Sequence, residues 1–218
     1  MPLLALAAAA PSPAGDASPA ARAAEAAREA EAIAAEIGPR PTGSAGEDAL
    51  EAWVRTRLEE AGWRPRRVAG QLVACRGDGT RLFLAHLDTV PGSPGAVDNA
   101  AGVVALVHLA RDTAATDLCL AFPRAEEAGL VGSEALAAAW PDPGLGPPAP
   151  SGNRLPSLVV ALDLVGQGRL SVTGLGPRWS GTWLRWLVDH ADVASPYAYR
   201  VVSRALPAME RSDHRPFA

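Results

Sequence analysis

Three stretches, "RLFLAHLD" (81–88), "DLCLAFPRAEE" (117–127) and "SLVVALD" (157–163), constrain the fold more than any other feature of the 218-residue chain. Each is a near-continuous apolar run that stops abruptly at acids or a histidine. Such runs suit strands buried on both faces, and here they alternate with segments of helical periodicity. Together they imply an α/β domain whose largely parallel sheet is covered by helices on both sides. In open sheets of this class ligands bind beyond the carboxyl ends of the strands. Independent strands can therefore aim His86, Asp88, Glu126, Glu127 and Asp163 at one place.

The segments between fill in the order. A helix is predicted over Pro19–Ile37, with Ser18 as cap and Gly38 after the end. A second follows the Ser44/Glu47 capping box, carries Leu50, Trp53, Val54, Leu58 and Ala61 on one stripe, and stops at Gly62. "RRVA" and "LVACR" flank an Ala-Gly pair and read as a hairpin. Further helices are predicted over Asn99–Asp112, Gly129–Trp140 and Trp179–His190, and a strand near "RLSVTG". Residues 1–17 read as an Ala/Pro-rich arm or leader, and 18–218 as a single domain. The breaker-rich segment 141–156 reads as an exposed loop.

Composition excludes some functions. Lysine is absent, the arginines are scattered and the formal net charge is −4, so a nucleic-acid partner is not expected. No apolar run is long enough to span a membrane. The N-terminal "MPLLALAAAAPSPAGDASPA" has the small and apolar residues of a secretory leader but no preceding basic residue, leaving cytoplasmic and secreted locations both open. Cys75 and Cys119 each sit in an apolar run and are expected as free, buried thiols rather than a disulfide.

The chemistry gathers at the strand ends. A period of two directs His86 and Asp88 to the same side, a spacing that suits a metal-bound imidazole oriented by a carboxylate behind it. Asp98 precedes a helix, where it can serve as a plain cap or as a carboxylate bridging two metals. Adjacent Glu126 and Glu127 cannot readily point the same way, which divides them naturally between proton acceptor and metal ligand. Several carboxylates in one crevice repel each other unless a cation neutralises them. His108 and His190 read as structural; His214, in "SDHRPF", is harder to dismiss.

"IGPRPTGS", "AHLDTVPGSPGAVDNAAG", "AEEAGLVGSEAL", "ALDLVG" and "SDHRPF" occur here in one order, and from about residue 30 onward the chain resembles zinc exopeptidases of metallopeptidase family 28. The resemblance implies a three-layer α/β/α fold with a mixed, mostly parallel central sheet, and two zinc ions. By motif, His86 and Asp163 match ligands of the first ion, Asp98 the bridging carboxylate, Glu127 a ligand of the second, Glu126 the general base and Asp88 the carboxylate behind the histidine. Asp213 and His214 match a motif that borders the site. The implied activity is removal of N-terminal residues from peptides with a free N-terminus. The alternatives are a glutaminyl cyclase on the same scaffold, which His86 disfavours by preserving a two-metal pattern, or an inactive remnant that only binds.

Three departures stand out. Similar proteins continue past "SDHRPF" to a histidine that completes the second metal. The chain is therefore expected to be truncated, or else to fill the gap with His214 or water. Val97 replaces an acid common in relatives, and Arg124 replaces a small residue where it would perturb the charge of the site. Side-chain specificity and oligomeric state are not legible.

Overall fold

The computed structural model describes residues 18–77, 81–140, 155–166, 168, 170–171, 189, 193–194 and 212–217. The arm at 1–17, most of the loop at 141–156 and the Trp-rich helix at 179–190 lie outside the described residues, Asp189 apart.

Helix α1 (Pro19–Glu36) begins at Ser18, whose hydroxyl accepts the Ala21 N–H, and places proline where its missing donor costs nothing. Its alanine-rich surface permits close approach, and Ala30 and Ile33 are buried. Helix α2 (Ala45–Glu60) is started by the expected capping pair: Ser44 Oγ accepts the Glu47 N–H at 3.2 Å, and Glu47 Oε2 accepts the Gly43 N–H at 2.8 Å. Strands β1 (Arg66–Val68) and β2 (Gln71–Arg76) form the predicted hairpin, turning at Ala69 and Gly70, both with positive φ.

Strands β3 (Arg81–Leu84), β4 (Leu118–Phe122) and β5 (Leu158–Ala161) complete a five-stranded sheet of order β1-β2-β4-β3-β5. β3 runs parallel to both β4 and β5, whereas β2 is antiparallel to β1 and β4. The sheet is mixed, with its parallel half carrying the site. Two short strands, β6 (Leu170–Ser171) and β7 (Val193–Ala194), pair separately in parallel.

Alternation along the strands divides the core in two. Leu72, Ala74, Ala85, Leu87, Leu118, Leu120 and Phe122 face one way and pack under α1, α2 and α3 (Ala101–Asp112). Val73, Leu82, Leu84, Cys119 and Ala121 face the other, under α4 (Val131–Ala139) and a single 3-10 turn at Arg215–Phe217. The result is the expected three-layer α/β/α arrangement. Trp63 Nε1–H donates to the Ala110 carbonyl at 2.9 Å and ties the end of α3 to the loop after α2. His108, expected as structural, packs against α1, where with Glu25 and Glu29 it forms a second group of metal-ligand size. Its Nε2 lies 3.0 Å from Glu29 on α1, and that hydrogen bond is the main reason the Glu29 carboxyl is held below its usual range.

One expectation is overturned. Cys75 and Cys119 are not free thiols but a disulfide between β2 and β4. They are directly opposed in the antiparallel register, a juxtaposition that a sequence separation of 44 hides from the sequence. Both cysteines should resist alkylation in non-reducing denaturant. Reduction should lower the unfolding free energy by about 2–4 kcal/mol, measured by urea titration; stoichiometric labelling of the unreduced protein would contradict the pairing.

Candidate active site

Parallel pairing brings the carboxyl ends of β3, β4 and β5 together. Backbone hydrogen bonds continue past the strands, from Ala85 N–H to the Ala121 carbonyl (3.2 Å), from Leu87 N–H to Pro123 (2.9 Å) and from Leu162 N–H to Leu84 (2.8 Å). The residues that follow each strand are therefore held in register. Because Ala85 and Leu87 point into the core under α1–α3, His86 and Asp88 share the opposite side, and both are buried.

His86 stands at the centre. Its Nδ1 is 3.1 Å from the Asp88 main-chain carbonyl. A carbonyl only accepts, so Nδ1 carries the proton and Nε2 is turned to the site. Nε2 lies 3.2 Å from Asp98 Oδ1 and 3.6 Å from Asp163 Oδ1. One ligand atom from each of these three residues lies within 4.8 Å of the others. Ligands on a tetrahedral zinc are roughly 3.4 Å apart, so the group is close to the size of a single-ion site.

Asp88 lies behind the histidine, where its spacing implied, and has a second job as well. Its carboxylate is 3.6 Å from His86 Nδ1, while Oδ1 accepts the Glu126 N–H at 3.0 Å and Oδ2 accepts the Glu127 N–H at 3.1 Å and the Thr42 hydroxyl at 3.1 Å. One buried side chain thus fixes the backbone of both glutamates against the end of β3. Glu127 itself is exposed and outside the three-residue group, although the Asp98 charge reaches it.

Asp98 is not a simple helix cap. The chain forms an irregular turn at Ala96–Ala100 in which Asp98 and Asn99 have non-helical backbone angles, so α3 starts two residues later than predicted. Asn99 Nδ2 donates to the Leu162 carbonyl at 2.7 Å and anchors this turn to the end of β5. At Gly102 a Cβ would come within 2.3 Å of Asn99 Oδ1 and 2.9 Å of the Leu162 carbonyl, so only glycine fits there.

Arg124 departs from expectation. It turns away from the site to bind Glu47, Asp48 (2.7 Å) and Glu51 (3.2 Å) on α2. Its backbone N–H donates to Gln71 Oε1 at 2.8 Å. It braces the segment leading to Glu126 instead of altering the charge of the site. Arg40, Thr42, Thr89 and Asn99 are parts of the framework that sequence reasoning missed.

The electrostatics are those of crowded anions. Burial, with the Asp213, Asp163 and Glu127 charges, pushes Glu126 up to about 7 against the pull of His86. Burial likewise raises Asp213 to about 6, with Asp163 and Asp88 adding and His86 opposing. Asp213 is buried and its Oδ1 lacks a hydrogen-bond partner. Burial would also raise Asp163, but hydrogen bonding to His86, the His86 charge, Ser212 and the Leu164 N–H hold it below its usual value. Burial opposes protonation of His86, yet hydrogen bonding to Asp163, Asp88 and Asp98 carries its pKa well above 6.5. His214, next to Asp213, is not a member of the metal-sized group.

These shifts have one sign above pH 4.5. The folded metal-free protein holds protons on Glu126, Asp213 and His86 that the unfolded chain releases, so its stability should fall as pH rises from 4.5 through about 7. Chemical denaturation across that range measures it, and a divalent cation should flatten the slope. A metal-free protein that grows more stable over this window would contradict the arrangement.

The residues 68–218 match the model of peptidase family M28. A search of curated protein sequences finds no match. Among solved structures, BSAP, a zinc aminopeptidase from Bacillus subtilis, superposes with a TM-score of 0.64 at 14% identity, covering 89% of this chain and 82% of that one. An Acidobacteriales bacterium glutaminyl cyclase gives 0.59 at 18% identity, over 95% and 79%. The LapA aminopeptidase of Legionella pneumophila gives 0.56 at 17%, over 82% and 58%. At such identities these likenesses speak to the fold alone. The family match, spanning most of the chain and every group of the site, establishes that the protein belongs to peptidase family M28.

Proposed function

We propose that the protein is a zinc-dependent aminopeptidase, with a peptide bearing a free N-terminus as substrate. The observation that carries this reading is the group His86, Asp98 and Asp163, three ligand atoms gathered from two strand ends and the turn between them. One imidazole and two carboxylates are a donor set that zinc accepts. The buried anions around them, which hold protons in the absence of metal, are the kind of crowd a divalent cation relieves. Zinc bound there would polarise the scissile carbonyl and lower the pKa of an attacking water to about 7.

Glu126 is the residue for the proton. Its backbone is locked by Asp88, and its carboxyl sits where burial keeps proton affinity near neutrality. A carboxylate so tuned can take a proton from the attacking water and return it to the leaving amine nitrogen. Glu127, exposed beside it, and Asp98 are the residues available to a second ion or to the amino group of the substrate.

A second reading has an observation of its own. Among the described residues only one metal-sized group forms at the site and Glu127 lies outside it, which suits a one-zinc glutaminyl cyclase, and cyclases are among the structural neighbours. Incubation with peptides carrying N-terminal glutamine or leucine separates the two. An aminopeptidase releases the free residue; a cyclase releases ammonia and leaves a pyroglutamyl peptide.

Compartment is part of the proposal. The Cys75–Cys119 disulfide supports an oxidising location outside the cytosol. No helix among the described residues is long and apolar enough to cross a membrane.

Glu126→Gln should lower kcat by at least about 10²-fold while zinc content, measured by elemental analysis, stays that of the parent. Turnover within tenfold of the parent would remove Glu126 from its role.

A further inference from the structure

Arg40 is the largest fully buried side chain in the described structure, and a buried guanidinium is costly unless its donors are met. Here four of its five N–H donors are met by main-chain carbonyls. Nε donates to Leu87 (3.1 Å), Nη1 to Gly38 (2.9 Å) and Pro94 (2.9 Å), and Nη2 to Gly95 (2.9 Å). The main chain of Arg40 adds two bonds to one residue: its N–H donates to Thr89 Oγ1 at 2.9 Å and its carbonyl accepts the Thr89 N–H at 3.1 Å.

The positions of these acceptors matter more than their number. Leu87 lies between His86 and Asp88. Pro94 and Gly95 open the turn that carries Asp98, and Gly95 also accepts the Ala100 N–H at 3.0 Å, closing that turn. Gly95 has φ of +64°, and a Cβ on it would stand 2.5 Å from Arg40 Nη2. The chain approaches the guanidinium too closely for any side chain. One rigid, planar cation therefore spans the two segments whose separation sets the distance from His86 Nε2 to Asp98 Oδ1.

We propose that Arg40 is a positioning residue for the metal centre, holding the His86 and Asp98 segments at ligand spacing by binding the backbone of both. The inference rests on the zinc reading above. The guanidinium forms no ion pair among its hydrogen bonds, so its charge remains to act on Asp88 and Asp98, the two carboxylates it feels most strongly. It thus offsets part of their repulsion before any ion arrives. A lysine cannot substitute, because an ammonium is a single point of donors and cannot reach acceptors on three segments at once.

The test compares zinc affinity, by chelator competition, and the visible spectrum of the cobalt-substituted site in the parent, Arg40→Lys and Arg40→Met. Both variants are first shown to be folded by near-ultraviolet circular dichroism. A loss of affinity of about 10–100-fold is expected in the folded variants, with a changed cobalt spectrum and a fall in kcat exceeding any rise in KM. A merely structural arginine would lower Tm and leave affinity and spectrum alone. Affinity within threefold of the parent, with the same spectrum, overturns the proposal. Should neither variant fold, Thr89→Val, which removes the hydroxyl that accepts the Arg40 N–H and donates to the Ser93 carbonyl at 3.3 Å, must weaken zinc binding at least threefold, and unchanged binding overturns the proposal. A parent that binds no zinc overturns the metal-centre reading, and the role of Arg40 with it.

Discussion

The structure depends on charge crowding at the end of a parallel sheet. Asp88, Asp98, Asp163, Asp213 and Glu126 converge on one buried imidazole, and in water-poor surroundings that many carboxylates cannot all be ionised without compensation. The fold supplies three partial answers. His86 faces the carboxylates, the main-chain donors of Glu126 and Glu127 bind Asp88, and the Arg40 guanidinium lies beneath the loop. What remains uncompensated is visible as the raised proton affinity of Glu126 and Asp213. That residue is the electrostatic demand a divalent cation meets.

Two arginines hold the demand in place from opposite sides. Arg40 works from below, through neutral carbonyls, on the segments carrying His86 and Asp98. Arg124 works from the side, through Glu47, Asp48 and Glu51 on α2, on the segment that leads to Glu126. The two are linked through the "GPRPTGS" segment, which supplies Arg40, the Thr42 hydroxyl on Asp88 and the Ser44 cap of α2. A stretch without regular structure thus joins helix start, loop brace and metal-binding strand into one rigid unit, as a preorganised site requires.

Much of this was legible in the sequence. The apolar runs mark β3, β4 and β5, and their shared polar endings point to the end of the sheet where His86, Asp98 and Asp163 gather. The Ser44/Glu47 box and the Ala69-Gly70 turn have local causes and appear where local chemistry puts them. What was hidden depended on register or on distant backbone. The Cys75–Cys119 bond exists because two strands pair with those residues opposed. Arg124 could have pointed to either side of its strand end, and acids on α2 decided it. Arg40 bonds to carbonyls 47 to 55 residues away, and a carbonyl carries no sequence signature. Asp98 read as a possible cap because the irregular turn at Ala96–Ala100 cannot be foreseen from residue types.

Anomalous diffraction at the zinc edge from zinc-soaked crystals addresses the central claim most directly. The account predicts a strong site bounded by His86 Nε2, Asp98 and Asp163, with ligand distances of about 2.0–2.2 Å. No anomalous density there, with the three side chains paired only to each other or to solvent, would contradict it.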